Sequence, residues 1–187
     1  MFHTFTHSVI RLAAALIITG GVSLSAYAFP IAVPGTEGLK VIATGGEIIA
    51  TYEGNSASFS NDLYLDSTFI FNNHATPVGT SVSLGTFVAG TELVFRMHVN
   101  DTGDDFFTGE ASRNLDGHEH ARVQSDWLPH TTLVSFEDLY NGPFDYNDLS
   151  FSFTNTIAAV PEPETYAMLL AGLGLVGFFA RRRKQNN

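Results

Sequence analysis

The chain has no cysteine among its 187 residues. That excludes disulfides, thiolate metal centres and a cysteine nucleophile. Cations are scarce in its middle. Between residues 29 and 160 stand Lys40, Arg96, Arg113 and Arg122 against seventeen carboxylates, a net charge of about −13. A surface of that sign repels nucleic acid and attracts divalent cations. Helical periodicity is nearly absent from the same stretch. No Ser/His/Asp nucleophile pattern and no phosphate-binding glycine loop occurs, so no catalytic residue is assigned and an enzyme is not expected. Carboxylate pairs suited to glycoside hydrolysis decide nothing in so acidic a chain.

What is present begins with the two ends. Met1 to Ala28 reads as a secretory signal peptide: Arg11 supplies the positive start, Leu12 to Ile18 the apolar run, and Ala26-Tyr27-Ala28 the small-x-small cleavage site. An N-terminal membrane anchor is the alternative, but the run is short and broken by Gly20-Gly21. At the other end, Val160-Pro161-Glu162-Pro163 is followed by an uncharged run from Ala167 to Ala180 and by Arg181-Arg182-Arg183-Lys184. Pro161 and Pro163 fix φ and remove backbone donors, which ends any preceding element. As a helix, Tyr166 to Ala180 spans only about 22 Å, short of a ~30 Å hydrocarbon core. Four clustered cations stop it on what is normally the cytoplasmic side.

The order of these parts resembles the PEP-CTERM sorting signal of Gram-negative bacteria that make extracellular polysaccharide, with Pro161, Glu162 and Pro163 as its signature. The resemblance implies an exosortase-type membrane protease as partner. It also implies inner-membrane anchoring before processing, and release to the cell surface or exterior after it. The expected organisation is a signal peptide over 1–28, a domain over 29–158 and a sorting signal over 159–187.

The domain reads as β. Short runs rich in β-branched and aromatic residues lie between Gly, Asn and Asp clusters, at 41–44, 48–52, 63–72, 80–87, 92–99, 120–124, 131–136 and 149–155. In the last run Leu149, Phe151 and Phe153 alternate with Ser150, Ser152 and Thr154, which predicts one face in the core and one in water. Eight such strands predict an all-β, antiparallel β-sandwich with a jelly-roll-like topology, flanked by a signal helix and a short C-terminal membrane helix. The 158–164 segment reads as the linker to the membrane run. An exported domain without disulfides must rely on its core or on a bound metal.

Two acid-rich stretches carry the candidate chemistry. Glu137, Asp138, Asp145, Asn147 and Asp148 form an oxygen-rich group within twelve residues. Calcium takes six to eight such oxygens. Four carboxylates in so short a span repel one another without a counter-ion. The alternative is that these residues cap turns at strand ends. Spacing excludes an EF-hand, since Ser150 and Thr156 stand at the sixth and twelfth positions counted from Asp145. Asp101, Asp104 and Asp105 make a second acidic loop, read as a solvated hairpin. His118 and His120 would share a face of a strand and, with His98 or His130, suit zinc or copper. The Asp116-Gly117 turn beside them instead predicts two solvent-facing, dispensable side chains.

Phe136-Glu137-Asp138-Leu139 and Asp145-Tyr146-Asn147-Asp148 together resemble a family of unknown function common in PEP-CTERM proteins. That resemblance implies a surface β-domain that binds calcium, with no established catalytic activity. Pro143-Phe144 departs from the glycine and acid expected in the gap. The reading is therefore a calcium-stabilised surface or matrix protein of a biofilm or exopolysaccharide. A lectin-like module using Trp127, Tyr140, Phe144 and Tyr146, or a secreted hydrolase, is the alternative.

Overall fold

A computed structural model describes residues 28–159 and, in the tail, residue 173 alone. The signal peptide up to residue 27, the Pro161-Glu162-Pro163 signature and the expected C-terminal membrane helix lie outside the described residues. Among the described residues no helix is long and apolar enough to cross a membrane.

Twelve strands build the domain: β1 (Lys40–Ala43), β2 (Gly46–Gly54), β3 (Asn61–Leu65), β4 (Thr68–Asn72), β5 (Ser81–Phe87), β6 (Glu92–Leu93), β7 (Phe95–Val99), β8 (Asp105–Phe107), β9 (Ala121–Leu128), β10 (Thr131–Phe136), β11 (Leu149–Thr154) and β12 (Thr156–Ala159). Every pairing is antiparallel. The strand orders are β5-β2-β11-β10-β9, β4-β3-β7-β8 and β12-β1-β6.

Alternation places the core. Ile48, Ala50 and Tyr52 of β2, Leu63 and Leu65 of β3, and Phe95, Met97 and Val99 of β7 point inward at every second residue. Side chains of all three sheets join one apolar cluster. Phe95 of the four-stranded sheet stacks on Phe153 of the five-stranded one at 4.2 Å between centroids. Burying each such ring contributes about 2–3 kcal/mol.

Four differences from the sequence reading have identifiable causes. The run at 63–72 is a hairpin, because Asp66 adopts φ 53° and turns the chain between β3 and β4. The run at 92–99 splits at Val94, sending β6 and β7 to different sheets. Thr156 to Ala159 is a strand, so residues 158 and 159 of the expected 158–164 linker belong to a sheet: Asn155 at φ 54° turns the chain and Ala158 and Ala159 pair with Val41 and Lys40. The serine face of β11 is not in water. Ser150 is fully buried, since its hydroxyl pairs with Ser135 Oγ at 2.8 Å and Ser135 in turn accepts the Ala32 N–H at 2.9 Å. The segment before β1 therefore covers the outer face of β10 and β11.

Candidate metal centre

Strand β10 ends at Phe136, and the next two residues are Glu137 and Asp138. Strand β11 begins at Leu149, one residue after Asp148. Because β10 and β11 pair Phe136 with Leu149, the two acidic ends lie side by side. Glu137, Asp138 and Asp148 each offer a carboxylate oxygen, and those oxygens lie within 4.8 Å of one another. All three residues are buried, at 1, 4 and 8 % exposure.

The hydrogen bonds reaching the cluster come mostly from the backbone. Asp148 Oδ2 accepts the Asp138 N–H at 2.9 Å. Glu137 accepts the N–H groups of Leu139 at 3.1 Å, Asp145 at 3.0 Å and Tyr146 at 3.4 Å. Among the described residues, no Lys, Arg or His side chain forms an ion pair with any of the three. The electrostatic result follows. Burial pushes the Asp148 carboxyl up to about 8, and the nearby Asp138, Glu137 and Asp145 charges push the same way. Burial also raises Glu137 and Asp138, against the hydrogen bonds that favour their charged forms. Asp101 adds to the field on Asp138.

Sequence reading missed one member. Asn61, at the start of β3 and fully buried, donates its side-chain amide to Asp138 Oδ2 at 2.7 Å. Its Oδ1 has no hydrogen-bond partner. A buried amide oxygen without a donor is costly and uncommon. With the amide bonded to Asp138, this oxygen stands next to three buried carboxylates, and oxygens of these kinds are what hard cations take. The residues present therefore fit a divalent cation. Nothing within the 137–148 stretch points to Asn61, which lies 77 residues from its partner.

The Asp145 side chain is exposed; its backbone N–H bonds Glu137, and its charge acts on Glu137, Asp138 and Asp148. Asn147 accepts the Ser56 N–H on its carbonyl at 2.8 Å. In the second acidic loop, Asp105 lies on β8 and pairs with Arg96 at 2.6 Å and His98 at 2.9 Å. Asp101 caps the Ser60 N–H at 2.7 Å.

His118 is exposed, as the turn beside it predicts, but His120 is not. It is fully buried and stacks on Phe106 at 3.8 Å. Its Nδ1 bonds the Glu137 carbonyl at 3.0 Å and its Nε2 the Asp116 carboxylate at 2.8 Å. Both ring nitrogens face acceptors, so neither is free for zinc or copper. Burial works to raise the Asp116 carboxyl, but hydrogen bonds from His120 and from the Asn141 and His118 N–H groups hold it below its ordinary value.

A small cleft of about 190 Å³ adjoins the loop, lined by Glu37, His118, Glu119, Arg122, Phe144 and Tyr146. Of the four aromatic residues considered for a binding platform, Phe144 and Tyr146 meet there. Trp127 sits near the far end of β9, and Tyr140 is exposed on the loop.

A family model of the PEP-CTERM protein-sorting motif matches residues 159–184. No curated protein and no solved structure matches the chain. The chain thus carries this sorting motif. It is an exported protein, anchored at the membrane until exosortase cleaves it and then secreted or held at the cell surface.

Proposed function

We propose that the exported domain is a non-catalytic β-sandwich of the cell surface or extracellular polymer, held in shape by a calcium ion at Glu137, Asp138, Asp148 and Asn61. The observation that carries the metal reading is the unpartnered, buried Asn61 Oδ1 beside three buried carboxylates that lack a cation. Calcium suits the set because it prefers six to eight oxygens and accepts an irregular arrangement; water and backbone carbonyls supply the remainder. When bound, the ion supplies the positive charge that the three carboxylates lack. The chain's own part is to hold the oxygens in place. The pairing of β10 with β11 fixes the two acidic ends, and the N–H groups of Leu139, Asp145 and Tyr146 orient Glu137.

A structural role fits the burial better than catalysis does. Carboxylates at 1–8 % exposure cannot meet a polymer chain, whereas a glycoside hydrolase holds its pair in an open cleft. Extracellular polymer is the partner we propose for a domain released to the surface or exterior, and extracellular calcium modules bind the ion at about 10⁻⁴–10⁻³ M.

Calorimetric titration of the mature exported protein with calcium tests the reading. Binding heat in the millimolar range is expected, lost in Asp148→Asn. No heat, together with an unchanged thermal midpoint in excess chelator, would return these residues to capping turns. Release of reducing ends from polysaccharide by the purified protein would overturn the non-enzymatic part.

A further inference from the structure

The cleft beside the loop is built rather than incidental. Phe144 is wedged between His118 at 5.2 Å, His120 at 5.4 Å and Tyr146 at 6.3 Å between ring centroids, which fixes the ring that forms its wall. Gly142 makes room for it: a Cβ there would lie 2.8 Å from the Phe144 ring. Gly38 does the same for Glu119, another lining residue, whose Cγ would lie 2.8 Å from a Cβ there. Tyr146 also lines the cleft, a bulky residue at φ 57°, a conformation that costs of order 1–3 kcal/mol and persists only where surroundings impose it. Its hydroxyl is tied to the Glu119 carbonyl at 2.8 Å, and the Arg122 guanidinium lies 4.1 Å above its ring.

The polar groups of the cleft are only partly used. Arg122 gives Nε to Glu37 at 2.6 Å, and its two terminal nitrogens have no protein partner among the described residues. The Glu119 carboxylate and the His118 ring likewise lack one there. The cleft thus offers unused donors, an unused acceptor and one aromatic wall.

These features narrow the ligand. An anion meets a domain of net charge near −13 and an arginine already neutralised by Glu37. A cation finds the Tyr146 face occupied by Arg122. An apolar ligand would strip water from three charged side chains without replacing their hydrogen bonds. A neutral polyhydroxylated ring meets every requirement: its C–H face lies on Phe144 while its hydroxyls donate to Glu119 and accept from Arg122. A volume of about 190 Å³ is on the scale of one such ring.

We propose that this cleft binds a single neutral pyranose unit of a polysaccharide. The proposal does not use the metal: none of the six lining residues offers a carboxylate to the acidic cluster, and the Tyr146 N–H bond to Glu137 links the two.

Saturation-transfer NMR on the mature exported protein tests this with cellobiose, maltose, mannobiose and diacetylchitobiose, and with a galacturonic acid disaccharide as the charged control. Saturation of at least one neutral disaccharide is expected, with affinity at least tenfold weaker in Phe144→Ala and several-fold weaker in Glu119→Gln. Phe69→Ala, an exposed aromatic change on β4, leaves it unaltered. Glu119→Gln alters a half-exposed carboxylate outside the core, so it reports on the cleft even where Phe144→Ala does not fold. Binding of none of the four, equal binding by Glu119→Gln, or tighter binding of the uronate would overturn the proposal. Calcium binding heat without sugar binding would remove the cleft reading alone, and the converse would remove the metal reading alone.

Discussion

The loops at 100–105 and 137–148 are both rich in aspartate, yet the fold treats them in opposite ways. Asp105 finds Arg96 and His98 across the β7–β8 ladder and stays two-fifths exposed, so its charge is paired and hydrated. Asp138 and Asp148 find only each other, Glu137, Asn61 and backbone N–H groups, and water is nearly absent. One loop needs nothing more. The other carries charge that burial disfavours, which must be met by protons or by an ion. Acid content alone does not distinguish a solvated hairpin from a metal centre; the partner and the solvent do.

The largest expected effect lies in the histidines that support the two loops. His120→Ala removes a fully buried ring, a stack on Phe106 and hydrogen bonds to Glu137 and Asp116, and should cost about 2–4 kcal/mol. His98→Ala removes a partly exposed pair and should cost no more than about 1 kcal/mol. Urea denaturation of both variants reads the contrast directly, and equal costs would break it.

Next in size is the ion. Calcium at ten times its dissociation constant contributes RT ln 11, about 1.4 kcal/mol. That corresponds to a rise of roughly 3–8 °C in thermal midpoint against excess chelator. Asp148→Asn should abolish the rise, whereas Asp105→Asn should keep it in full.

A pH scan sharpens the same contrast. The Asp148 carboxyl, raised from 3.8 to about 8, stays protonated in the native state at pH values where the unfolded chain has released that proton. Native stability from this group is therefore full below about 4 and is lost as pH rises toward 8. In chelator the thermal midpoint should fall steadily between pH 5 and pH 8. Saturating calcium should flatten the fall, because the ion takes the proton's place. A midpoint that rises over this range without metal would contradict the burial of uncompensated carboxylates.

The smallest effect is expected in the exposed loop itself. Asp105→Asn should change stability by about 0–1 kcal/mol, less at high salt, as a partly exposed pair does. A loss of several kcal/mol on urea denaturation would show that this loop, too, carries buried charge.

Much of this was legible along the chain because its signals are local. Runs of β-branched and aromatic residues mark strands whatever surrounds them, and in β11 period-two alternation adds to the signal, so β2, β7, β10 and β11 could be read from their own residues. The split of 63–72 into β3 and β4 was missed because a single aspartate at φ 53° carries the turn. Strand β12 was missed because Thr156 to Ala159 shows no strand pattern of its own and becomes a strand by pairing with β1. The serine face of β11 was assigned to water because its covering segment precedes β1.

By itself, then, the sequence determined the β class of the domain, the Pro-Glu-Pro sorting tail and the places where acid accumulates. Each of these is written in residues that are neighbours along the chain. Only the tertiary structure decided which acids are buried, that Asn61 bonds Asp138, that His120 bonds the Glu137 carbonyl while His118 is exposed, and that Phe144 and Glu119 line one cleft. Burial and pairing depend on which strands meet across the sheets, and residues 77 positions apart leave no mark of that meeting in their own local pattern.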